Sequence, residues 1–205
     1  GDGKGVATID ASASTAGITI AAADFVDINT AWSGLTIKGG AGKDTIDMTG
    51  LTLPATDSKI IVNAGAGDDT IVTTLAGGTL TGGAGKDTFN VALALVEALK
   101  TTEATGVVKT TITDLTAGDK IIFANKGTEV FNKTKLDVST ASNLDKALDL
   151  ALAGDGSSNG IINWFQYAGN TYIVEDVLAV TSAGAGDMVV KINGSVDLTN
   201  STLSG

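Results

Sequence analysis

Short apolar segments separated by glycine, aspartate and threonine run through the first ninety residues of the chain. Gly17–Ile20, Leu35–Lys38 and Lys59–Val62 are examples, and the only proline of the chain, Pro54, lies among such segments. Segments this short favour the strands of a parallel β-helix over long hairpins. Aromatic residues are rare here, so we expect two flattened sheets that approach closely around a thin core.

The pattern of apolar residues changes after Asn90. Val91–Lys100 is apolar enough for either a helix or a buried strand, and its periodicity does not decide between them. Further along, four of the nine aromatic residues of the chain surround a turn at Ala168–Asn170, which predicts a β-hairpin with a conventional hydrophobic core. Asp187–Gly194 predicts one more strand.

An amphipathic helix is predicted over about 141–153. Leu144, Leu148 and Leu152 recur at every fourth position and form an apolar stripe. Ser142 is the expected N-cap, and Gly154 is expected to end the helix.

A nine-residue phrase occurs three times, as Gly39–Asp47, Ala64–Val72 and Gly82–Asn90. Each copy has a glycine turn, an aspartate at the sixth place and an apolar residue at the eighth. Glycine permits a positive φ and lets carbonyl oxygens crowd one point. The sixth-place aspartates add carboxylate oxygens beside them, and hard oxygen ligands are the set that Ca²⁺ prefers. These aspartates are Asp44, Asp69 and Asp87.

The same residues have a simpler interpretation. Glycine turns also occur in β-solenoids that bind no ion, with aspartates that hydrogen-bond their own turns. Three copies with the aspartate in one place favour calcium over this alternative. Asp47 and Asp68 lack the sixth-place position and are expected to be solvated.

The phrase fits the G-G-x-G-x-D-x-U-x repeat of calcium-binding parallel β-helices, and the chain resembles the RTX (repeats-in-toxin) family of exported bacterial proteins. The first and third copies match every fixed place, and the second departs only at Ala64. A weaker fourth copy over Asp2–Asp10 has Ala7 in place of the aspartate. We expect it to be a turn of the same coil that has lost its metal.

This resemblance implies that the glycine turns stack as successive coils of an RTX parallel β-roll. Phe89 follows Ile71 by 18 residues, the length of one full coil in such folds, whereas Ile71 follows Ile46 by 25 and Ile46 follows Ile9 by 37. The longer coils are expected to carry insertions on the opposite side. Two calcium sites are implied, between Asp44 and Asp69 and between Asp69 and Asp87. Carbonyl oxygens would complete them, from Gly40, Gly42, Gly65, Gly67, Gly83 and Gly85.

A second resemblance concerns Asp114–Ile121, which is similar to the D-[FL]-x-x-G-D-x-I segment that closes many RTX β-rolls. Aspartates of that segment often contribute to a last calcium site, so Asp114 and Asp119 are further candidate ligands. A plain hydrogen-bonded turn is the open alternative. Asp155–Gly160 has a faint likeness to a calcium loop but lacks its spaced carboxylates.

The amino-acid composition excludes several classes of function. The net charge is −10 with 13 basic residues, all lysine, and such a surface repels nucleic acid and anionic membranes. The chain has no cysteine and no histidine, which excludes disulfides, thiolate zinc sites and the common hydrolytic constellations. We therefore expect that the chain is not an enzyme. The sequence contains neither a membrane span of about 18 apolar residues nor an apolar signal-peptide region, and we expect it to be part of a longer protein.

The order of the helix, the Trp164–Asp176 segment and the Val189–Thr199 segment resembles the C-terminal region of RTX-type surface-layer proteins of Gram-negative bacteria. The resemblance implies two domains, a calcium-binding β-roll over 1–90 with a degenerate first repeat, and a β-rich cap over 91–205 that holds a type I secretion signal. It also implies export by an ABC transporter, a location on the cell surface and self-assembly into a lattice. The alternatives are the export and folding module of a secreted RTX protease or lipase, and an adhesin.

Overall fold

The fold is described from a computed structural model, which covers residues 5–21, 32–51, 59–74, 77–91, 108–123, 130–153, 161–175 and 187–201. The predictions for most of Val91–Lys100, for Gly154 and for Asp155–Gly160 lie outside these residues.

The described residues form fourteen strands and one helix. The strands are β1 Gly5–Asp10, β2 Thr19–Ala21, β3 Trp32–Lys38, β4 Thr45–Asp47, β5 Lys59–Ala66, β6 Thr70–Val72, β7 Gly78–Ala84, β8 Thr88–Asn90, β9 Thr110–Ile112, β10 Lys120–Ile122, β11 Val130–Phe131, β12 Ile161–Tyr167, β13 Asn170–Glu175 and β14 Met188–Ile192. The helix, α1 Leu144–Ala153, precedes β12.

Successive strands from β1 to β10 alternate between two sheets. The odd-numbered strands β1 to β9 lie side by side in one sheet, and the even-numbered strands β2 to β10 lie in the other. Every pairing among these ten strands is parallel. The chain therefore winds as a flattened coil, and the prediction of a mainly β fold with parallel strands is confirmed.

The strand register corrects one alignment. Ile46, Ile71 and Phe89 align across the second sheet as the repeat predicted. The next residue in that row is Ile20, whereas Ile9 lies in the first sheet and pairs with Ile37. The alignment of Ile9 with Ile46 is therefore wrong. Ala7 and Ile9 both pack against the core from strand β1, so the sixth place of the supposed fourth copy is a strand position and not a turn.

One hydrophobic core runs through the coil and beyond it. The eighth-place residues Ile46, Ile71 and Phe89 are buried against residues of the first sheet such as Val62 and Leu80. The same cluster continues to Trp164, Ile173 and Val190 on β12 to β14. These strands extend the first sheet in the order β9, β14, β13, β12, β11. Since both sheets continue past residue 90, the proposed division there stays a prediction.

The hairpin prediction is confirmed. Strands β12 and β13 pair antiparallel, and Tyr167 faces Asn170 across a two-residue turn. Ala168 and Gly169 have φ of 47° and 77°, as a type I′ turn requires. This turn twists in the same sense as the strands it joins.

Helix α1 covers the outer face of the hairpin. Ala147, Leu148 and Ala151 are buried against Phe165 and Tyr172, whose rings stack with centroids 5.2 Å apart. The N-cap prediction was wrong, because Asn143 and not Ser142 holds that place. The Asn143 Oδ1 accepts a hydrogen bond of 2.9 Å from the Lys146 backbone N–H, the third residue of the helix.

Candidate metal centre

The glycine turns of neighbouring coils stack in close contact. Gly65 and Gly67 have φ of 109° and 131°, and Gly83 and Gly85 repeat these values at 104° and 135°. A Cβ on Gly83 would collide with the Gly65 carbonyl oxygen, and a Cβ on Gly85 with the Gly67 carbonyl oxygen. Each turn thus directs its carbonyl oxygens at the backbone of the next turn, which leaves no room for a side chain.

The first glycine turn meets the second in the same way but has a different backbone. Gly40 and Gly42 lie outside the left-handed φ range. The Gly40 carbonyl oxygen still occupies the space of a Cβ on Gly65, and it accepts a hydrogen bond of 2.9 Å from the Ala66 N–H. Close stacking, and not a positive φ, is therefore the requirement that all three phrases share.

The three sixth-place aspartates and Asp119 form a hydrogen-bonded series that we call the aspartate ladder: Asp44, Asp69, Asp87 and Asp119. In each step a backbone N–H donates to the Oδ1 of the aspartate in the following coil. The bond from Asp44 to Asp69 is 2.7 Å, and those from Asp69 to Asp87 and from Asp87 to Asp119 are 2.9 Å. Asp44, Asp69 and Asp87 are 0%, 1% and 2% exposed. The predicted ligands therefore lie inside the stack.

The second carboxylate oxygens of the ladder have different partners. Asp44 Oδ2 accepts a 2.7 Å hydrogen bond from the Gly40 N–H, and Asp119 Oδ2 accepts one of 2.6 Å from the Thr116 N–H. Asp69 Oδ2 is buried and accepts none. A buried oxygen without a donor costs about 1–3 kcal/mol, and more when it is charged. This oxygen is where a cation would be most stabilising.

The pKa shifts of the ladder also indicate that a cation would be stabilising there. Burial raises the pKa of Asp69, and the charges of Asp44 and Asp68 add to the rise while the Asp44 N–H and Lys43 oppose it. Burial likewise raises the pKa of Asp87 to about 6, with contributions from neighbouring carboxylates of which Asp119 is the largest. Burial and neighbouring carboxylates thus disfavour the charged form of Asp69 and Asp87, and a bound proton or cation would offset that charge.

Asp114 is held against the third glycine turn. Its Oδ1 and Oδ2 accept hydrogen bonds of 3.0 Å and 2.8 Å from the N–H groups of Gly82 and Gly83. The D-x-x-x-x-D segment therefore brings Asp114 to the turn and Asp119 to the end of the ladder. Asp119 makes the hydrogen bond of a plain turn with Thr116, whereas Asp114 bonds to a different coil, and whether either aspartate also binds calcium stays a prediction.

Asp47 and Asp68 lie outside the ladder. Asp47 Oδ1 accepts from the Thr49 N–H at 2.8 Å, as in an Asx turn, and the exposed Asp68 accepts from the Lys86 N–H at 2.8 Å. These contacts suit their expected position at the surface. Asp68 nevertheless adds negative charge near Asp69.

One turn of the stack was not predicted from the sequence. The Ser14 carbonyl accepts a 2.8 Å hydrogen bond from the Ala41 N–H, and the Ile18 N–H donates to Asp44 Oδ1 at 2.9 Å. The turn before β2 is therefore the first of the stack, with Ile18 at the sixth place. The signal was present, because Thr19-Ile20 repeats the Thr-Ile of Thr45-Ile46.

The described residues contain no cluster of three or more acidic side chains that could hold a metal ion. A cation at the ladder would therefore take both carboxylate and backbone carbonyl oxygens. The orphaned Asp69 Oδ2 and the stacked glycine carbonyls supply both kinds, and all are the hard oxygen donors that suit Ca²⁺. The residues present fit a calcium ion.

No protein family and no curated protein matches the chain. Among solved structures, the chain is similar to the solution structure of the AlgE6R2 subunit from the Azotobacter vinelandii mannuronan C5-epimerase. The identity is 16% and the TM-score 0.40, over 96% of this chain and 90% of that one. This likeness is too distant to bear on the fold, which rests on the strand pairing. No helix in the described part of the chain is long and apolar enough to cross a membrane.

Proposed function

We propose that the chain is a structural RTX module that folds outside the cell when it binds calcium, and that copies of it then assemble into a surface layer. The observation that carries the calcium part is the buried Asp69 carboxylate, whose Oδ2 lacks a hydrogen-bond donor within a ladder of buried aspartates. A folded protein that keeps a buried carboxylate charged at neutral pH needs a positive partner for it.

In this proposal Asp69 serves two sites, one with Asp44 and one with Asp87. Glycine carbonyl oxygens of the adjoining turns complete each site, and Asp114 and Asp119 are candidates for a last site at the third turn. The candidate carbonyls belong to Gly40, Gly42, Gly65, Gly67, Gly83 and Gly85. The ion supplies positive charge inside the stack and joins one coil to the next.

Calcium availability then decides where the chain folds. Without calcium, buried like charges and a thin core of short strands leave little to offset the chain entropy of the coil. Weak extracellular calcium sites need about 0.1–1 mM ion, far above the cytosolic concentration. The chain is thus held unfolded inside the cell and passes through a type I ABC transporter. Outside, binding free energy becomes folding free energy and favours export.

Circular dichroism of the purified chain with calcium and with chelator tests the folding step. We expect a strong β signal with calcium, its loss with chelator, and little effect of magnesium, which demands a stricter octahedral geometry. An identical β signal in calcium and chelator would refute the proposal.

Electron microscopy of the chain in calcium tests the assembly step. We expect ordered sheets, and no sheets in chelator. A calcium-folded chain that stays monomeric at all concentrations would instead favour the export module of a secreted enzyme. In that case the complete protein would carry a catalytic motif such as H-E-x-x-H or G-x-S-x-G.

A further inference from the structure

The carboxylate of Asp44 already has a hydrogen-bond donor at each of its oxygens. Asp44 Oδ2 accepts a 2.7 Å hydrogen bond from the Gly40 N–H, and Asp44 Oδ1 accepts one of 2.9 Å from the Ile18 N–H. These N–H groups direct partial positive charge at the carboxylate, which offsets its negative charge and competes with a cation for the same oxygens. The end of the aspartate ladder at Asp44 therefore gains less from an ion.

The carboxylates of Asp69 and Asp87 have fewer donors. Each accepts one hydrogen bond, through its Oδ1, from the backbone N–H of the preceding ladder residue. Asp69 Oδ2 is buried and accepts none, and no described residue donates a hydrogen bond to Asp87 Oδ2. Two neighbouring buried carboxylates thus each have one oxygen without a donor, at the second and third glycine turns.

Asp44 and Asp87 hold their second oxygens at the same place in their own turns. A Cβ on Gly39 would collide with Asp44 Oδ2 in the first turn. In the third turn a Cβ on Gly82 would collide with Asp87 Oδ2 in the same way. The lack of a donor at Asp87 is therefore not due to a different position of its carboxylate.

The backbone donors of the third turn are bonded to Asp114 instead. Gly83, which corresponds to Gly40 of the first turn, donates its N–H to Asp114 Oδ2 at 2.8 Å. The Gly82 N–H donates to Asp114 Oδ1 at 3.0 Å. Asp114 thus takes both donors, and Asp87 Oδ2 receives neither.

We propose that the site between the second and third glycine turns, formed by Asp69 and Asp87, binds calcium before the site at Asp44 does, and that Asp114 is the positioning residue that keeps it open. Asp114 acts on the ion through the Gly83 N–H, which it holds away from Asp87. The inference rests on the calcium binding of the proposed function and makes its two sites unequal.

The charges around Asp87 favour the same site. Burial raises the pKa of Asp87 to about 6, and three neighbouring carboxylates add to the rise. These carboxylates belong to Asp119, Asp69 and Asp114. A cation bound at Asp87 would therefore interact favourably with all of them.

A calcium titration followed by circular dichroism tests the role of Asp114, with Asp44→Asn as the matched control. Asp44 and Asp114 each accept two backbone N–H groups, so both asparagine variants lose one negative charge and one acceptor. This shared loss of stability should raise the calcium midpoint in both. Asp114→Asn should raise the midpoint about 10–100-fold further, as removal of a residue that orients a metal ligand does. Equal midpoints for the two variants would overturn the proposal.

Equilibrium dialysis against calcium tests the order of filling with variants that keep Asp114. At a calcium concentration that folds Asp44→Asn, this variant should retain the ion of the natural sequence, whereas Asp87→Asn should bind none. Loss of the ion in Asp44→Asn as well would overturn the order.

The number of ions bound at saturating calcium separates positioning from direct binding. Asp114→Asn should then bind as many ions as the natural sequence, because its Asp69 and Asp87 are intact. One ion fewer would make Asp114 a ligand and overturn its positioning role.

The same titrations distinguish failure of this inference from failure of the proposed function. If the natural sequence has the same β signal in calcium and in chelator, the calcium proposal fails and the inference fails with it. If calcium folds the natural sequence but Asp44→Asn and Asp114→Asn have equal midpoints, the inference fails alone.

Discussion

Acidification should stabilise the metal-free protein, in contrast to the usual behaviour of aspartates that are paired in the folded state. The folded-state pKa of Asp87 is raised from 3.8 to about 6. Between these values the folded state binds more protons than the unfolded state, so the free energy of unfolding decreases as pH rises. The stabilisation by protonation is fully present below about pH 4 and lost above about pH 6.

The size of this effect follows from the pKa difference. A difference of about two pKa units corresponds to about 3 kcal/mol at 1.36 kcal/mol per unit. The pKa of Asp69 is raised by the same cause and adds in the same direction. Below about pH 4 the trend reverses, because hydrogen bonds from their own turns, and for Asp10 also from Lys38, lower the pKa of Asp10, Asp137 and Asp197. Since whole domains are stable by only about 5–15 kcal/mol, a proton should partly replace calcium.

Since the metal-free chain is expected to be unfolded at neutral pH, circular dichroism in chelator from pH 4 to pH 7 measures the effect, with urea unfolding at each pH where the chain is folded. We expect the midpoint to fall with rising pH, and Asp87→Asn to flatten the curve because the asparagine does not titrate. Saturating calcium should remove the slope or invert it, since the ion competes with the proton for the same oxygens. A metal-free stability that rises between pH 4 and pH 6 would contradict the electrostatic account of the ladder.

Three further predictions involve five substitutions. Asp69→Asn should weaken the calcium response in a circular dichroism titration, yet leave the free energy of unfolding without metal unchanged or higher, since it removes a buried charge. Asp44→Asn should instead lower the free energy of unfolding without metal by about 1–3 kcal/mol, because both Asp44 carboxylate oxygens accept hydrogen bonds from backbone N–H groups. Asn143→Ala should lower the free energy of urea unfolding by about 1 kcal/mol through loss of the helix cap. Gly65→Ala should lower the melting temperature much more than Gly50→Ala does. Both glycines have a positive φ, but only a Cβ at Gly65 would meet a carbonyl oxygen of the preceding coil. Equal decreases in melting temperature would show that φ alone matters.

Much of the coil was predictable because its constraints are local. The eighth-place Ile46, Ile71 and Phe89 had to point inward once the turn before them was fixed, and their spacing gave the register of the second sheet. Sequence reasoning failed at Ile9 because alternation of apolar residues over Gly5–Asp10 suits a strand as well as a turn followed by a strand. Only the pairing partner of that segment decides, and the partner is distant in sequence.

The site was predictable in its residues but not in its hydrogen bonds. The sequence identified Asp44, Asp69 and Asp87, yet each carboxylate bonds to a backbone N–H 18 to 32 residues away, counting Asp119, and no local pattern specifies such a partner. The N-cap was missed for a similar reason. Ser142 and Asn143 are both good caps, and only the start of α1 at Leu144 selects between them.

The aspartate ladder connects architecture to the proposed function because the same carboxylates have two opposing effects. Their Oδ1 atoms fix one coil to the next by accepting backbone N–H groups, which requires that they be buried. Burial in turn places negative charges close together and leaves Asp69 Oδ2 without a donor. The first turn has Ile18 at the sixth place and so adds no charge to the stack. In the proposed function calcium supplies the missing positive charge, and the stability of the described coil should then follow the calcium concentration and not the size of its core.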